Sequence, residues 1–332
     1  MANKFDRERQ LKLSALGLQD VLEFMPQPYA DLFINVKREM ADLRVRNDKA
    51  ILDMWTEAAE QISVELKGAK GLRKEQLKDN LLDLLLQLNT KYSTLLTQDI
   101  MSIYTLVFGF QSNIIWSILS GAGFLQLGPV QFANIYTGMA QTTAEAFLAR
   151  KTKGVPLSKR IWQANQGPMN TIIDAAMSGN LSAYDIAPAL EKYLINGSNS
   201  LAVGESQALM NAFDGRLPKD MKYNAFRTAR TEISNAFAHS VYESGARNPF
   251  YDGIIWRLSN RHDEKLKCQC KQLVGFHEKG KEPPLPHPNC MCQQLPQMDD
   301  MDAAIDEAIG WVNNPKSNPK LETWYSKNIV NK

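Results

Sequence analysis

The sequence predicts a mainly α-helical protein with a small α+β, Cys/His-containing module near its C-terminus, and three observations carry that prediction. Up to about residue 110, apolar residues recur at three- and four-residue spacing, the period of an amphipathic helix. From Ile100 to Ala144 there is no Asp, Glu, Lys or Arg, which marks buried or interface helices. All four cysteines, Cys268, Cys270, Cys290 and Cys292, sit with His287 in one short window. The composition agrees: 332 residues, 44% hydrophobic and 22% charged, describe a folded chain rather than a disordered one. With 38 basic against 36 acidic residues the formal charge is +2, which excludes binding DNA through one overwhelming basic field.

Residues 1–98 read as an N-terminal helical region. The start, Met-Ala-Asn-Lys-Phe-Asp-Arg-Glu-Arg, alternates charges where a signal peptide needs an apolar run, so synthesis in a reducing cytosol is expected. Asp48 to Leu66 forms an amphipathic helix through Ile51, Met54, Trp55, Ala58, Ile62 and Leu66. Gly68, Gly71 and the basic residues between Lys67 and Lys74 mark a turn. Leu77, Leu81, Leu84, Leu85, Leu88, Tyr92, Leu95 and Leu96 then make a second helical face. Around Lys37, Arg38, Arg44 and Arg46, interleaved Glu39, Asp42 and Asp48 point to a solvated face rather than a nucleic-acid patch.

Residues 99–150 form the uncharged segment. The run from Ile114 to Val130 has the length of a membrane span. Ser117, Ser120, Gln126, Pro129 and Gln131 dilute it, and Gly121, Gly123 and Gly128 interrupt it. A buried helix pair or subunit interface with a glycine-rich turn is expected, not a constitutive anchor. The competing reading is a segment that meets a membrane only after release from an assembly.

Lys151 to Val155 is the best linker. Beyond it, Ser158 caps a helix starting at Lys159, and Ile172 to Met177 and Asp185 to Leu194 read as short helices. Met221 to Glu243 is the clearest helix of this half, closed by Gly245. Phe250 to Leu258 is rich in β-branched and aromatic residues and reads as a short strand. Glu278 to Pro288 is irregular, and Ala303 to Val312 is a final helix. Within residues 299–332, the stretch from Asn313 reads as an extended tail whose Trp324, Tyr325, Ile329 and Val330 could dock on a partner. No internal repeat, phosphate-binding glycine loop or heptad array stands out.

Zn²⁺ takes tetrahedral thiolate and imidazole ligands, usually as two close pairs brought together by a loop. Cys268-Gln269-Cys270 and His287-Pro288-Asn289-Cys290-Met291-Cys292, separated by Lys271 to Pro286, have that layout. Five candidates compete for four places, so the ligand set stays open. Structural zinc stands against one or two disulfides formed in an extracellular particle, and against unmetalled thiols packed in a turn. Five potential ligands leave no obvious place for a catalytic water, and nothing marks an oxyanion site for a Cys–His nucleophile, so no catalytic residue is assigned.

Arg230 falls inside the apolar stripe of Phe226, Ala229, Ile233, Phe237 and Val241. An inward guanidinium keeps its charge and needs acceptors. Asp263 is the expected partner, fastening the cysteine module to the long helix, with Glu232 as the alternative; a snorkelling arginine with its head in water is the competing arrangement. Trp256 is expected to anchor the module's core. His239, His262 and His277 read as surface or hydrogen-bonded residues, His262 also as a spare ligand.

Arg230-Thr231-Glu232, Asn235, Trp256, Asp263, Cys270-x-x-Leu273-x-Gly275 and His287-Pro288-Asn289-Cys290-x-Cys292 together resemble the phage head morphogenesis proteins, the Mu F-like minor head proteins. Leu157-Ser158-x-Arg160-Ile161-Trp162 and Gly179-Asn180-Leu181-Ser182 look like that family's helical lead-in. The likeness spans roughly 155–296, within an expected domain at 155–298 whose Cys/His module occupies 250–296. The His-Pro-x-Cys-x-Cys ending is its most specific part. One departure is clear: the family has CxxC before Leu-x-Gly, whereas this chain has Lys267 followed by Cys268. The resemblance implies a non-enzymatic, low-copy minor capsid protein, made in the host cytoplasm and placed inside the head near the portal. Its partners would be the portal protein, capsid or other head proteins and sister copies, with packaged DNA nearby but not specifically recognised. Ejection with the DNA, and membrane contact only then, would make it an effector at the host membrane or on incoming DNA; a zinc-dependent hydrolase or nuclease is the remaining alternative.

Overall fold

Two prolines, Pro26 and Pro28, separate a short helix α1 (Leu18–Phe24) from a long helix α2 (Tyr29–Gly68). The computed structural model describes residues 18–68, 74–124, 126–152, 154–157, 221–259, 268–288 and 290–331. The expected helices between Lys159 and Leu194, together with His262 and Asp263, lie outside the described residues. What is described is a mainly α-helical fold with a small β-sheet module and a C-terminal Cys/His cluster.

Along α2 the buried positions include Tyr29, Phe33, Val36, Met40, Leu43, Asn47, Ile51, Trp55, Ala58 and Ile62, an unbroken three-and-four spacing that Ala30, Ala59 and Ser63 widen. The helix therefore begins well before Asp48. The charged residues between Lys37 and Lys49 mostly fill its outer side, while the apolar stripe continues beneath them. Helix α3 (Lys74–Gly121) starts with an equally narrow stripe, Leu81, Leu85, Leu88, Tyr92 and Leu96. Past Ile100 the stripe widens to include Ile103, Tyr104, Val107, Phe108, Phe110, Ile114, Ile115, Ile118 and Leu119. A helix buried on several sides cannot carry unpaired charge, which accounts for the uncharged run. By length and composition Asp79–Gly121 could cross a membrane, but 61% of its most apolar window is buried inside the protein.

The chain divides into two units. Arg44–Gln98 and Leu148–Arg230 make one of them. In it α2 and α3 run antiparallel, with Lys91 bonded to Glu57 at 2.8 Å and Asn80 to Glu65 at 3.0 Å. A two-residue hairpin of β1 (Lys151–Thr152) and β2 (Val155–Pro156) turns at Gly154, whose φ of 78° suits glycine. This occupies the stretch read as a linker.

Met1–Leu43, Asp99–Phe147 and Thr231–Lys332 make the other unit. Here the second half of α3, the turn after Gly121, and α4 (Pro129–Ala149) bury Phe124, Phe132, Tyr136, Met139, Ala140, Ala144 and Phe147. Most of helix α5 (Met221–Ala246) joins them, placing Phe237 6.4 Å from Phe33, which lies 5.1 Å from Phe110. The module's sheet has β3 (Tyr251–Arg257) in the middle, with β4 (Gly275–Glu278) and β5 (Gln293–Met298) antiparallel on either side. Gly253 in β3 has φ 149°, and a Cβ there would collide with the His277 carbonyl across the strand pair, so the close approach requires glycine.

The C-terminal stretch corrects the expectation of an extended tail. After α6 (Met301–Asn313), Pro315 opens a 3₁₀ turn and Pro319 opens α7 (Pro319–Tyr325). Each proline sits at a helix start, where its missing N–H costs nothing, and the Asn318 side chain caps α7 by accepting from Leu321 N at 3.0 Å. Trp311 and Tyr325 enclose Phe124 at 5.8 and 5.6 Å, and the Trp324 indole donates to the Arg247 carbonyl at 2.7 Å. The residues expected to await a partner, Trp324 and Ile329, are instead buried on their own chain; Val330 remains exposed.

Candidate metal centre

Strand register places the cluster. β4 begins at Gly275 opposite Trp256, and β5 begins at Gln293 opposite Arg257. Both outer strands therefore start at the end of the sheet where β3 finishes. Cys268 precedes the 3₁₀ helix Gln269–Leu273 that leads into β4, and Cys270 lies within it. His287, Cys290 and Cys292 occupy the irregular chain leading into β5. The two ligand-bearing segments flank the central strand, and joining them closes the sheet across its end.

The intervening loop is pinned by tyrosines. Tyr242 of α5 donates to the Pro283 carbonyl at 2.8 Å, and Tyr251 of β3 donates to Glu282 at 2.9 Å. Glu282 also accepts from Gly280 N at 2.8 Å. Cys290 N donates to the His287 carbonyl at 3.3 Å, curling the chain so that imidazole and thiol face the same point.

None of the four cysteines is in a disulfide; Cys270 and Cys290 are buried, Cys268 and Cys292 half-buried. The ligand atoms of Cys268, Cys270 and His287 lie within 4.8 Å of one another, as do those of Cys270, Cys290 and Cys292. Cys270 Sγ is 3.1 Å from His287 Nε2 and 3.8 Å from Cys290 Sγ. Two sulfurs bound tetrahedrally to one zinc at about 2.3 Å would sit about 3.8 Å apart. His287 Nδ1 donates to the Pro288 carbonyl at 2.8 Å, which turns Nε2 toward the Cys270 sulfur. A backbone carbonyl on the far ring nitrogen fixes the imidazole's orientation for a cation.

Burial pushes the Cys270 thiol up to about 12, with the Cys268 and Cys292 thiols adding to the effect. A hydrogen bond with Cys292, together with burial, pushes Cys290 up as well. Thiols crowded in this way keep their protons until a cation displaces them. Two buried donors at the same end of the sheet, Trp256 Nε1 and its cross-strand neighbour Gln294 Nε2, have no hydrogen-bond partner among the described residues. Metal-bound thiolates accept N–H hydrogen bonds readily. The donor set and these orphaned groups fit a thiolate-held metal ion.

The remaining sequence candidates fall as follows. Trp256 is fully buried in the central strand. Glu232 is buried on α5. Arg230 is about half exposed, stacks on Phe226 with 5.6 Å to the ring centre, and grips Asp48 through Nη2 at 2.7 Å and Nε at 3.2 Å. Its expected partner Asp263 is outside the described residues. His239 Nδ1 meets the Tyr104 hydroxyl at 2.7 Å, and His277 donates to the Leu273 carbonyl at 2.7 Å, so neither belongs to the cluster.

A clamp that no sequence pattern announces holds α1 against this end of the sheet. Asp20 accepts from Gln293 Nε2 at 3.2 Å and lies 3.7 Å from Arg257 Nε. The Arg257 guanidinium stacks on Phe24 at 4.3 Å. Gln293 directly follows Cys292, so a ligand and a docking contact are peptide neighbours. No local signal could have paired residues 273 positions apart.

No family model, curated protein or solved structure matches this chain.

Proposed function

We propose that this chain is a minor capsid protein of a tailed bacteriophage, working in head assembly with its C-terminal module clasped by structural zinc. The observation that supports it most is the cluster of Cys268, Cys270, His287, Cys290 and Cys292 at one end of a small sheet. Those residues include the motif on which the likeness to the minor head proteins rests, and in space they form one clasp. A clasp that ties two strand entries together stabilises an interaction module; it does not by itself position a substrate. On this reading the protein is not an enzyme, sits inside the head near the portal, and contacts portal, capsid proteins or sister copies. Packaged DNA is a neighbour without specific recognition, and departure with the DNA is a later step.

Cross-linking and mass spectrometry of intact and emptied particles test this reading. The expected result is a low-copy component cross-linked to the portal in full heads, and loss from emptied heads if the protein is ejected. Absence from particles, or presence only in the infected cell, would overturn it. The metal-ligand cluster equally favours a second reading, a zinc-dependent hydrolase or nuclease. Zinc-dependent cleavage of nucleic acid or peptide by the purified chain, abolished by Cys290→Ser, would establish that reading in its place.

A further inference from the structure

We infer that the cluster holds two zinc ions bridged by the Cys270 thiolate, rather than one. This inference rests on the reading of the cluster as a structural zinc site. The five ligand atoms fall into two groups of three, Cys268–Cys270–His287 and Cys270–Cys290–Cys292, and Cys270 is the member they share. One tetrahedral zinc would draw four donors to within about 3.8 Å of one another. The cluster instead has two corners, meeting at a sulfur 3.1 Å from the imidazole nitrogen of one and 3.8 Å from a thiol of the other.

Charge favours the same count. Four thiolates around a single Zn²⁺ leave a net negative site, and two of the sulfurs, on Cys270 and Cys290, are buried. Two Zn²⁺ ions neutralise four thiolates. The bridging role falls on Cys270 because it is buried, is the residue both groups share, and lies 3.1 Å from His287 Nε2 of one and 3.8 Å from Cys290 Sγ of the other. His287 belongs to the first corner and, with Nδ1 committed to the Pro288 carbonyl, presents Nε2 to the ion. Each ion takes its fourth ligand from outside the five, as a closed structural site requires.

The full chain, reduced and reconstituted with zinc chloride alone, is measured by native mass spectrometry and elemental analysis. Two zinc ions per chain are expected. Cys268→Ser and Cys292→Ser should each fall to one ion, because each opens one corner, and Cys270→Ser should retain less than one. One ion in the wild-type chain would overturn the bridge and leave the structural-zinc reading standing. No ion would overturn both. A Cys268→Ser chain that keeps two ions, or loses both, would also defeat the two-corner arrangement, and far-ultraviolet circular dichroism separates that result from failure to fold.

Discussion

The β module and the helical layer around the uncharged segment belong to one unit but reach order by opposite means. In the helical layer, Ile114, Ile118, Phe132 and Tyr136 are wholly buried, and rings pack at 5.2 Å between Phe132 and Tyr136 and 5.8 Å between Trp116 and Phe132. Apolar burial dominates there, with the Tyr136 hydroxyl capped by the Arg247 carbonyl at 3.0 Å. The module's ligand-bearing end has little of this. Between Cys268 and Cys292 the buried side chains among the described residues are those of Cys270 and Cys290, while Val274, Phe276 and Met291 are exposed. Where side chains cannot enclose a core, a few directional bonds must hold the chain, and that is where the thiols and the imidazole gather.

Removing the metal should break this contrast most sharply. Structural zinc contributes on the order of 10 kcal/mol to the small domains that depend on it. Chelation, or Cys290→Ser, is expected to raise amide exchange across residues 268–298 by orders of magnitude while α3 and α4 stay protected. The clamp of Asp20 on Gln293 and Arg257 should loosen next, since Gln293 adjoins a ligand. Hydrogen exchange read by mass spectrometry checks both effects. Unchanged protection of the module would mean that the tyrosine-pinned loop holds itself.

Phe132→Ala applies the converse test. Deleting a fully buried ring costs about 3–5 kcal/mol through lost transfer energy and the cavity left behind. Urea denaturation should show that loss with zinc content unaltered, because Phe132 packs on Trp116 and Tyr136 of the helical layer. Loss of zinc along with stability would show the module to be subordinate to the helical layer.

These differences also account for what could be read in the sequence. A helical period is a local signal, so the stripes of α2 and α3, the strand at β3 and the helix α6 were legible. The start of α2 was not, because the charged residues from Lys37 to Lys49 mask a stripe that Val36, Met40, Leu43 and Asn47 carry through. Pro315 and Pro319 looked like breakers and turned out to be helix starters, since proline at a first turn and proline in an interior look alike until a cap such as Asn318 is seen. The cysteine window was legible because its members are close in sequence and chemically rare. The Arg230–Asp48 pair was not, since 182 positions separate the two residues and both types are common on helix surfaces.

The smallest effect expected lies where the two regions join, at Asp299 between β5 and α6. Its backbone is fully used, donating to the Phe250 carbonyl and accepting from the Tyr29 hydroxyl at 3.0 Å, so only the carboxyl is free to vary. Burial raises its pKa, and the carboxylates of Asp252 and Glu307 raise it further against the opposing pull of Lys320. A carboxyl whose folded pKa is raised stabilises the fold fully below its unfolded pKa, near 4, and loses that contribution as pH climbs through the folded value. At neutral pH Asp299 therefore carries a charge the fold disfavours. Asp299→Asn keeps the shape and removes the charge, so it should raise stability at pH 7 by under about 1 kcal/mol, a partly exposed site being well screened. The gain should vanish near pH 3.5, where the wild-type carboxyl is already protonated. Melting temperatures at the two pH values measure it. A variant less stable than wild type at pH 7 would mean that attraction to Lys320 outweighs burial, and that the join between module and helices is held by charge after all.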